Sequence, residues 1–305
     1  MRATSLGAER RHSAYGREGR VRSVGIRRRG CFNGPVPAVI SELRRLWRGP
    51  LEVPPTRLSP RTLNTETVLV LLVGLGASAI YSILSIIKRL ESTTALNQQT
   101  STLNATQSTQ SWLDLAYQVV DIGLGLVPAL LAIYLLGLQI PSPVRYLGVD
   151  GRMPGRDLLL GAGLAAVIGV PGLVLYVVAR DLGFNTTVVA TDLGEYWWTT
   201  PVLILSAIQN AIAEEVVMVG YLFTRWTQAR WRLPVIIVVS AVIRGSYHLY
   251  QGFGGFVGNI VMGLILGTVY LRTRRVLPLI ITHAILDIVA FVGYALLHDH
   301  VGWLS

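Results

Sequence analysis

The chain has 305 residues, of which 51% are hydrophobic and only 14% charged, with a formal net charge of +10. So apolar a balance at this length excludes an ordinary soluble domain and points to an all-α, polytopic membrane protein. The positive charge would suggest nucleic acid in a soluble chain, but here the arginines gather at the ends of apolar stretches, so no nucleic-acid partner is expected.

Residues 1–60 are Arg-rich, dotted with Gly and Pro, and predict a largely disordered cytoplasmic tail. Within it Val39, Ile40, Leu43, Leu46 and Trp47 alternate with Arg44, Arg45 and Arg48, the spacing of a short amphipathic helix over residues 38–48 lying on an anionic membrane surface. Cys31 is the only cysteine, which excludes an internal disulfide, a thiolate metal cluster and an intramembrane thiol nucleophile.

About seven transmembrane helices are predicted, over residues 67–87, 115–138, 157–179, 201–224, 233–250, 254–271 and 276–297, each near the ~20 residues a bilayer requires. The first two form a unit over residues 61–144, joined by a Ser/Thr/Asn/Gln-rich loop, residues 91–111, read as a solvated external linker. Asp114 and Asp121 share a face with Tyr117 at the start of the second span and are expected at the membrane interface. Arginines follow spans two (Arg145, Arg152, Arg156), four (Arg225, Arg230, Arg232) and six (Arg272, Arg274, Arg275), with Lys88 and Arg89 as the exception. The positive-inside rule then predicts a cytoplasmic N-terminus and an external C-terminal tail, residues 298–305. Glycines at 254, 258, 263 and 267 give span six the small-residue spacing of close helix packing.

Ionisable residues at membrane depth are costly and mark candidate functional sites. Span four carries Glu214 and Glu215, span five Arg244 and His248, span seven His283 and Asp287. Adjacent helical positions diverge by about 100°, so one glutamate should face a reaction centre and the other a structural partner. If spans four and five form a hairpin turning near Trp231 and Pro234, residues whose numbers sum to about 462 lie at equal depth, which sets His248 level with Glu214 and Arg244 within a turn of Glu215 and Val219. His283 and Asp287, four apart, stack on one face. Helix tilt or a nonhelical Gln251-Gly252-Phe253 stretch could absorb the remaining offset of one or two turns between His283 and His248. A carboxylate, two imidazoles and a second carboxylate in a cavity closed to bulk water suit hydrolysis of an unreactive amide. Neither a serine-triad context nor the H-E-x-x-H zinc signature is present.

The order and spacing of these motifs resemble the CAAX-protease-and-bacteriocin-processing family, which includes the Ras-converting CAAX prenyl endopeptidases. The family pattern E-E-x-x-x-R, F-x-x-x-H and H-x-x-x-N/D corresponds to Glu214-Glu215 through Val219, Arg244 through His248, and His283 through Asp287. The resemblance covers residues 145–297, and implies an intramembrane protease domain with a catalytic four-helix core. It implies that Glu214 activates water with His248 beside it, that His283 and Asp287 bind a metal or stabilise the oxyanion, and that membrane-associated proteins or peptides are the substrates. Zn2+ held by Glu214, His248, His283 and Asp287, or no metal at all, both agree with the family. Two positions depart from the pattern, Val219 for Arg and Arg244 for Phe, and the expectation is that Arg244 supplies across the hairpin the guanidinium that position 219 lacks. The competing expectations are a noncatalytic family member that binds a membrane peptide, and an ion or proton carrier using the same buried charges. A bacterial plasma membrane is the expected location.

Overall fold

The computed structural model describes residues 41–43, 47 and 51–297. Of the expected N-terminal tail, residues 1–60, positions 1–40, 44–46 and 48–50 lie outside the described residues, as does the expected tail 298–305. Of the predicted amphipathic stretch, residues 41–43 and 47 are described and helical. Its Trp47 indole N–H donates to Thr268 Oγ1 at 3.1 Å, so that ring is tied to a later helix. Residues 51–59 are irregular but held: Leu51 is buried, and the carbonyls of Glu52 and Pro54 accept from Arg274 and Gln228.

The first predicted span is two helices, α1 (Pro60–Leu72) and α2 (Leu75–Leu90), bent by 59°. Ser59 starts α1 by accepting the Thr62 N–H at 3.1 Å, with Pro60 at the first helical position. The bend falls at Gly74, where a Cβ would come within 2.7 Å of Pro128 Cγ; the close approach of the next span is what glycine permits there. That next span runs from Ser111 to Gly137 as α3 (Ser111–Gly125) and α4 (Val127–Gly137), with Pro128 at the joint. After one helical turn, α5 (Pro143–Tyr146), comes α6 (Pro154–Asp181), long and apolar enough to cross a membrane.

The remaining helices form the core. Thr199–Gln228 is a single long apolar helix in three registers: α7 (Thr199–Glu214), a π-helical segment (Glu215–Tyr221) and α8 (Leu222–Gln228). It turns back through Arg230, whose φ is 66°, beneath a stack of Trp226 on Trp231 at 4.8 Å. α9 (Leu233–Tyr247) is short, and one tight turn over Leu249–Gln251 leads into α10 (Phe253–Thr273) and then α11 (Leu277–Leu297). α10 lies along α9 and α6, and α11 packs between α6 and α7. The predicted glycine stripe serves this packing: a Cβ on Gly263 would meet Ala241 Cα at 3.0 Å, and one on Gly267 would meet Phe223 at 3.0 Å.

The polar loops depart from the sequence reading. β1 (Thr100–Asn104), inside the segment expected to be a solvated linker, pairs in parallel with β2 (Thr187–Thr191), in register Thr100 with Thr187 and Asn104 with Thr191. Ser101 and Asn104 are buried because other polar groups, not water, satisfy them: Asn104 donates to Ala190 O at 2.8 Å and accepts from Ser206 at 3.0 Å. Asp114, in the first turn of α3, is likewise buried within the protein, accepting the Gln107 N–H at 2.9 Å, while exposed Asp121 accepts the Gln107 side-chain amide.

At the opposite, arginine-rich end, Arg275 donates to both oxygens of Asp157 and also reaches Asp150 at 3.0 Å, tying the turn after α10 to the start of α6. Arg225, assigned by sequence to a linker, is instead fully buried. It pairs with Glu66 at 2.7 Å and donates to the Leu135 carbonyl at 2.7 Å, and Tyr221 donates to the same Glu66 at 2.8 Å. Desolvation pushes the Asp150 carboxyl up, but hydrogen bonds from Arg275 and Arg152 outweigh it and hold the group below its ordinary value. What Asp150 contributes to stability is therefore complete above the ordinary carboxylate pKa and drains away as pH falls through the depressed one. Removing the deeper partner has a larger effect: Asp157→Ala leaves the buried Arg275 guanidinium with Asp150 as its remaining carboxylate partner and should lower stability by about 3 kcal/mol, read as earlier thermal unfolding of the protein in detergent.

Candidate active site

The six ionisable side chains meet where α7, α9 and α11 pass one another. Glu214 ends α7 and Glu215 opens the π segment, so the two carboxylates leave the helix in different directions, as adjacent positions must. Arg244 stands between them. Its Nη1 donates to Glu214 Oε2 at 3.1 Å and its Nη2 to Glu215 Oε1 at 2.7 Å. Val219 is buried in the apolar core, so the only guanidinium at the glutamate pair among the described residues comes from across the hairpin. Arg244 is 1% exposed and Glu215 0%, which makes each the other's obligatory partner in a low-dielectric interior.

The π segment is part of this placement. Seven residues wound at i→i+5 break the ordinary α-helical ladder just below the glutamates. Ser240 on α9 supplies a cross-helix partner by donating to the Met218 carbonyl at 2.7 Å.

Glu214 is held on one oxygen. Besides Arg244, Oε2 accepts the Tyr247 hydroxyl at 2.5 Å. Its other oxygen, Oε1, faces His248 Nε2 at 3.9 Å, beyond direct hydrogen bonding and at a separation a bridging solvent molecule can fill. The His248 imidazole lies against the Tyr247 ring, with centroids 4.8 Å apart, and both its nitrogens are buried without a hydrogen-bond partner. A buried imidazole so left is poised for a ligand that the protein itself does not supply.

His283 joins the other glutamate: its Nδ1 lies 2.9 Å from Glu215 Oε1, and Nε2 faces Asp287 Oδ2 at 3.6 Å. The two imidazoles therefore stand by different glutamates, His248 beside Glu214 and His283 beside Glu215. Between them the chain leaves helical geometry in the tight turn Leu249–Gln251 and at Gly252, while Phe253, expected in a nonhelical stretch, already begins α10.

Tyr247 is a site residue that the sequence reading misses, although its spacing could show it. Arg244, Tyr247 and His248 stand at i, i+3 and i+4, one face of α9. As a metal centre the cluster fits poorly. Among the described residues no three His, Cys, Asp or Glu side chains converge on one point. Glu214 Oε2 is engaged by Arg244 and Tyr247, and His283 Nδ1 by Glu215. Donors already committed to such partners suit proton transfer and charge stabilisation by the side chains themselves.

Residues 196–289 match the family model for type II CAAX prenyl endopeptidase Rce1-like proteins. The comparisons with curated proteins and with solved structures gave no match. The matched segment runs from just before α7 into α11 and contains Glu214, Glu215, Arg244, His248, His283 and Asp287. Over this segment its four helices, with the polar constellation they enclose, are similar to the type II CAAX prenyl endopeptidase Rce1-like family.

Proposed function

We propose that this integral membrane protein is an endopeptidase that hydrolyses peptide bonds of membrane-associated proteins or peptides, with Glu214 as the base that activates water. The observation that carries this reading is the division of labour on Glu214: Oε2 is anchored by Arg244 and Tyr247, while Oε1 faces the unpartnered His248 imidazole across 3.9 Å. A water seated between them gives a proton to Oε1 as its oxygen attacks the scissile carbonyl carbon. The carbonyl electrons move to oxygen, and an imidazole N–H from His248 stabilises the oxyanion. Collapse of the adduct breaks the C–N bond, and the proton held on Glu214 passes to the leaving nitrogen. His283, oriented by Glu215 and facing Asp287, supports the developing negative charge from the other side.

In this reading Glu215 and Arg244 do not react. They hold the base in place, and Arg244 stands in for the arginine the family places at position 219. The N-terminus is assigned to the cytoplasm and the C-terminus to the exterior of a bacterial plasma membrane, from the arginines gathered at one end of the bundle.

Glu214→Gln keeps the shape and removes the base; cleavage of a membrane-peptide library by the purified protein should fall about 10²- to 10⁴-fold, and equal cleavage by both proteins would remove Glu214 from the mechanism. The same assay with chelator, beside metal analysis of the purified protein, assigns the class. Undiminished cleavage by metal-free protein makes it a glutamate-type peptidase, and loss restored by zinc makes it a metallopeptidase. Arg244→Phe strands two buried carboxylates and should cost about 3–5 kcal/mol of stability. Adding Val219→Arg should recover much of that loss in thermal unfolding, and a double variant no more stable than Arg244→Phe would refute the exchange of positions.

A further inference from the structure

Among the described residues neither nitrogen of His248 has a hydrogen-bond partner; its ring lies against Tyr247 and faces Glu214 Oε1 across 3.9 Å. Its position is therefore set by the backbone that carries it, and that backbone leaves α9 at His248 itself. The turn beyond it is pinned by other parts of the chain. The Tyr250 N–H donates to Ser82 Oγ at 2.6 Å, and the Tyr250 carbonyl accepts from Ser101 Oγ, on β1, at 3.1 Å. The Gln251 carbonyl accepts the Thr186 N–H at 2.9 Å and is also reached by the Thr186 hydroxyl at 3.0 Å, which lies 2.9 Å from that of Ser101.

Gly252 then takes φ 116°, and a Cβ there would come within 2.5 Å of the Phe184 carbonyl oxygen and 2.6 Å of Asn185 Cα. Gly252 is also the N-cap of α10 and has no side chain to cap it. Asn185 does so from a different segment: its Oδ1 accepts from the N–H groups of Gly254 at 2.8 Å and Gly255 at 3.3 Å, while the Phe253 N–H donates to the Phe184 carbonyl at 2.9 Å. Asn185, Thr186 and Ser101 are at most 2% exposed, so these bonds have no competing water.

We propose that Asn185, supported by the Ser101–Thr186 pair, is a positioning residue for His248. The two polar loops that meet in the β1–β2 pair act as a clamp on residues 249–255, and through that turn fix where the imidazole stands relative to Glu214. This rests on the assignment of His248 to the peptidase site, but the clamp can be tested without any substrate.

In the full-length protein in detergent, the rate at which diethyl pyrocarbonate modifies His248 and His283 is followed by mass spectrometry. In Asn185→Ala the His248 rate should rise about fivefold, the loss expected for one hydrogen bond, while His283, tied to Glu215, keeps its rate. Asn185→Asp retains an oxygen acceptor at the helix N-terminus and should behave as wild type. Ser101→Ala, a milder change on the other side of the clamp, should raise the His248 rate alone, and decides the matter if Asn185→Ala does not fold. Where a cleaved peptide is in hand, Asn185→Ala should lower kcat with KM unchanged. A wild-type His248 rate in Asn185→Ala, both histidines accelerating together, or Asn185→Asp behaving like Asn185→Ala would each overturn the proposal. A failure of the peptidase assignment appears instead as equal cleavage by wild type and Glu214→Gln, and leaves the modification experiment standing.

Discussion

Two adjacent carboxylates in an apolar helix are tolerable only if a cation is delivered between them, and Arg244 is that cation. An unpaired buried charge costs several kcal/mol, more than most helix–helix contacts return, so the α7–α9 spacing is dictated by the reach of one guanidinium. Neighbouring features accommodate it. A Cβ on Gly263 would stand 3.3 Å from Arg244 Cδ, so the glycine on α10 leaves room for the arginine stem. Ser240, one turn before Arg244 on the same helix, fastens the π segment that carries Glu215. Tyr247, one turn after it, takes the second bond to Glu214. Bidentate geometry makes arginine fit this position where lysine, a single point charge, would serve one glutamate and strand the other.

How much of this the sequence revealed depends on the range of the interaction. Pairings set by helical periodicity and by one hairpin were legible: Arg244 to the glutamates, His248 level with Glu214, and His283 stacked on Asp287 all follow from spacing along stiff rods. What escaped is what depends on tertiary partners. Nothing in Glu215–Tyr221 announces a π register, because the bond that supports it comes from Ser240 on another helix. The burial of Arg225 needed Glu66, far earlier in the chain, and Leu135. The loop around Thr100–Asn104 reads as solvated because its residues are polar, yet polar residues bury readily when they find one another, as Asn104 finds Ala190 and Ser206.

The two ends of the bundle are built by different chemistry. At one, arginines are neutralised by scattered carboxylates: Arg275 by Asp157 and Asp150, Arg272 by Glu42. At the other, neutral amides and hydroxyls knit the loops together through backbone-directed bonds, with Asn104, Asn185, Thr186 and Ser101 at the centre. The glutamate–histidine cluster hangs from this second end, so its carboxylates answer to Arg244 rather than to the arginines gathered at the first.

The brevity of α9 has a consequence for the surrounding lipid. Its 15 residues rise about 22 Å, against a hydrocarbon core of about 30 Å, while α10 and α11 have 21 residues each. Val235, Val238 and Val242 are exposed on this helix and give it an apolar outer face. A bilayer bordering so short a wall must thin there or draw its headgroups inward. Such a dimple would bring the aqueous phase closest to the protein at the flank where His248 stands, at the end of the shortest wall.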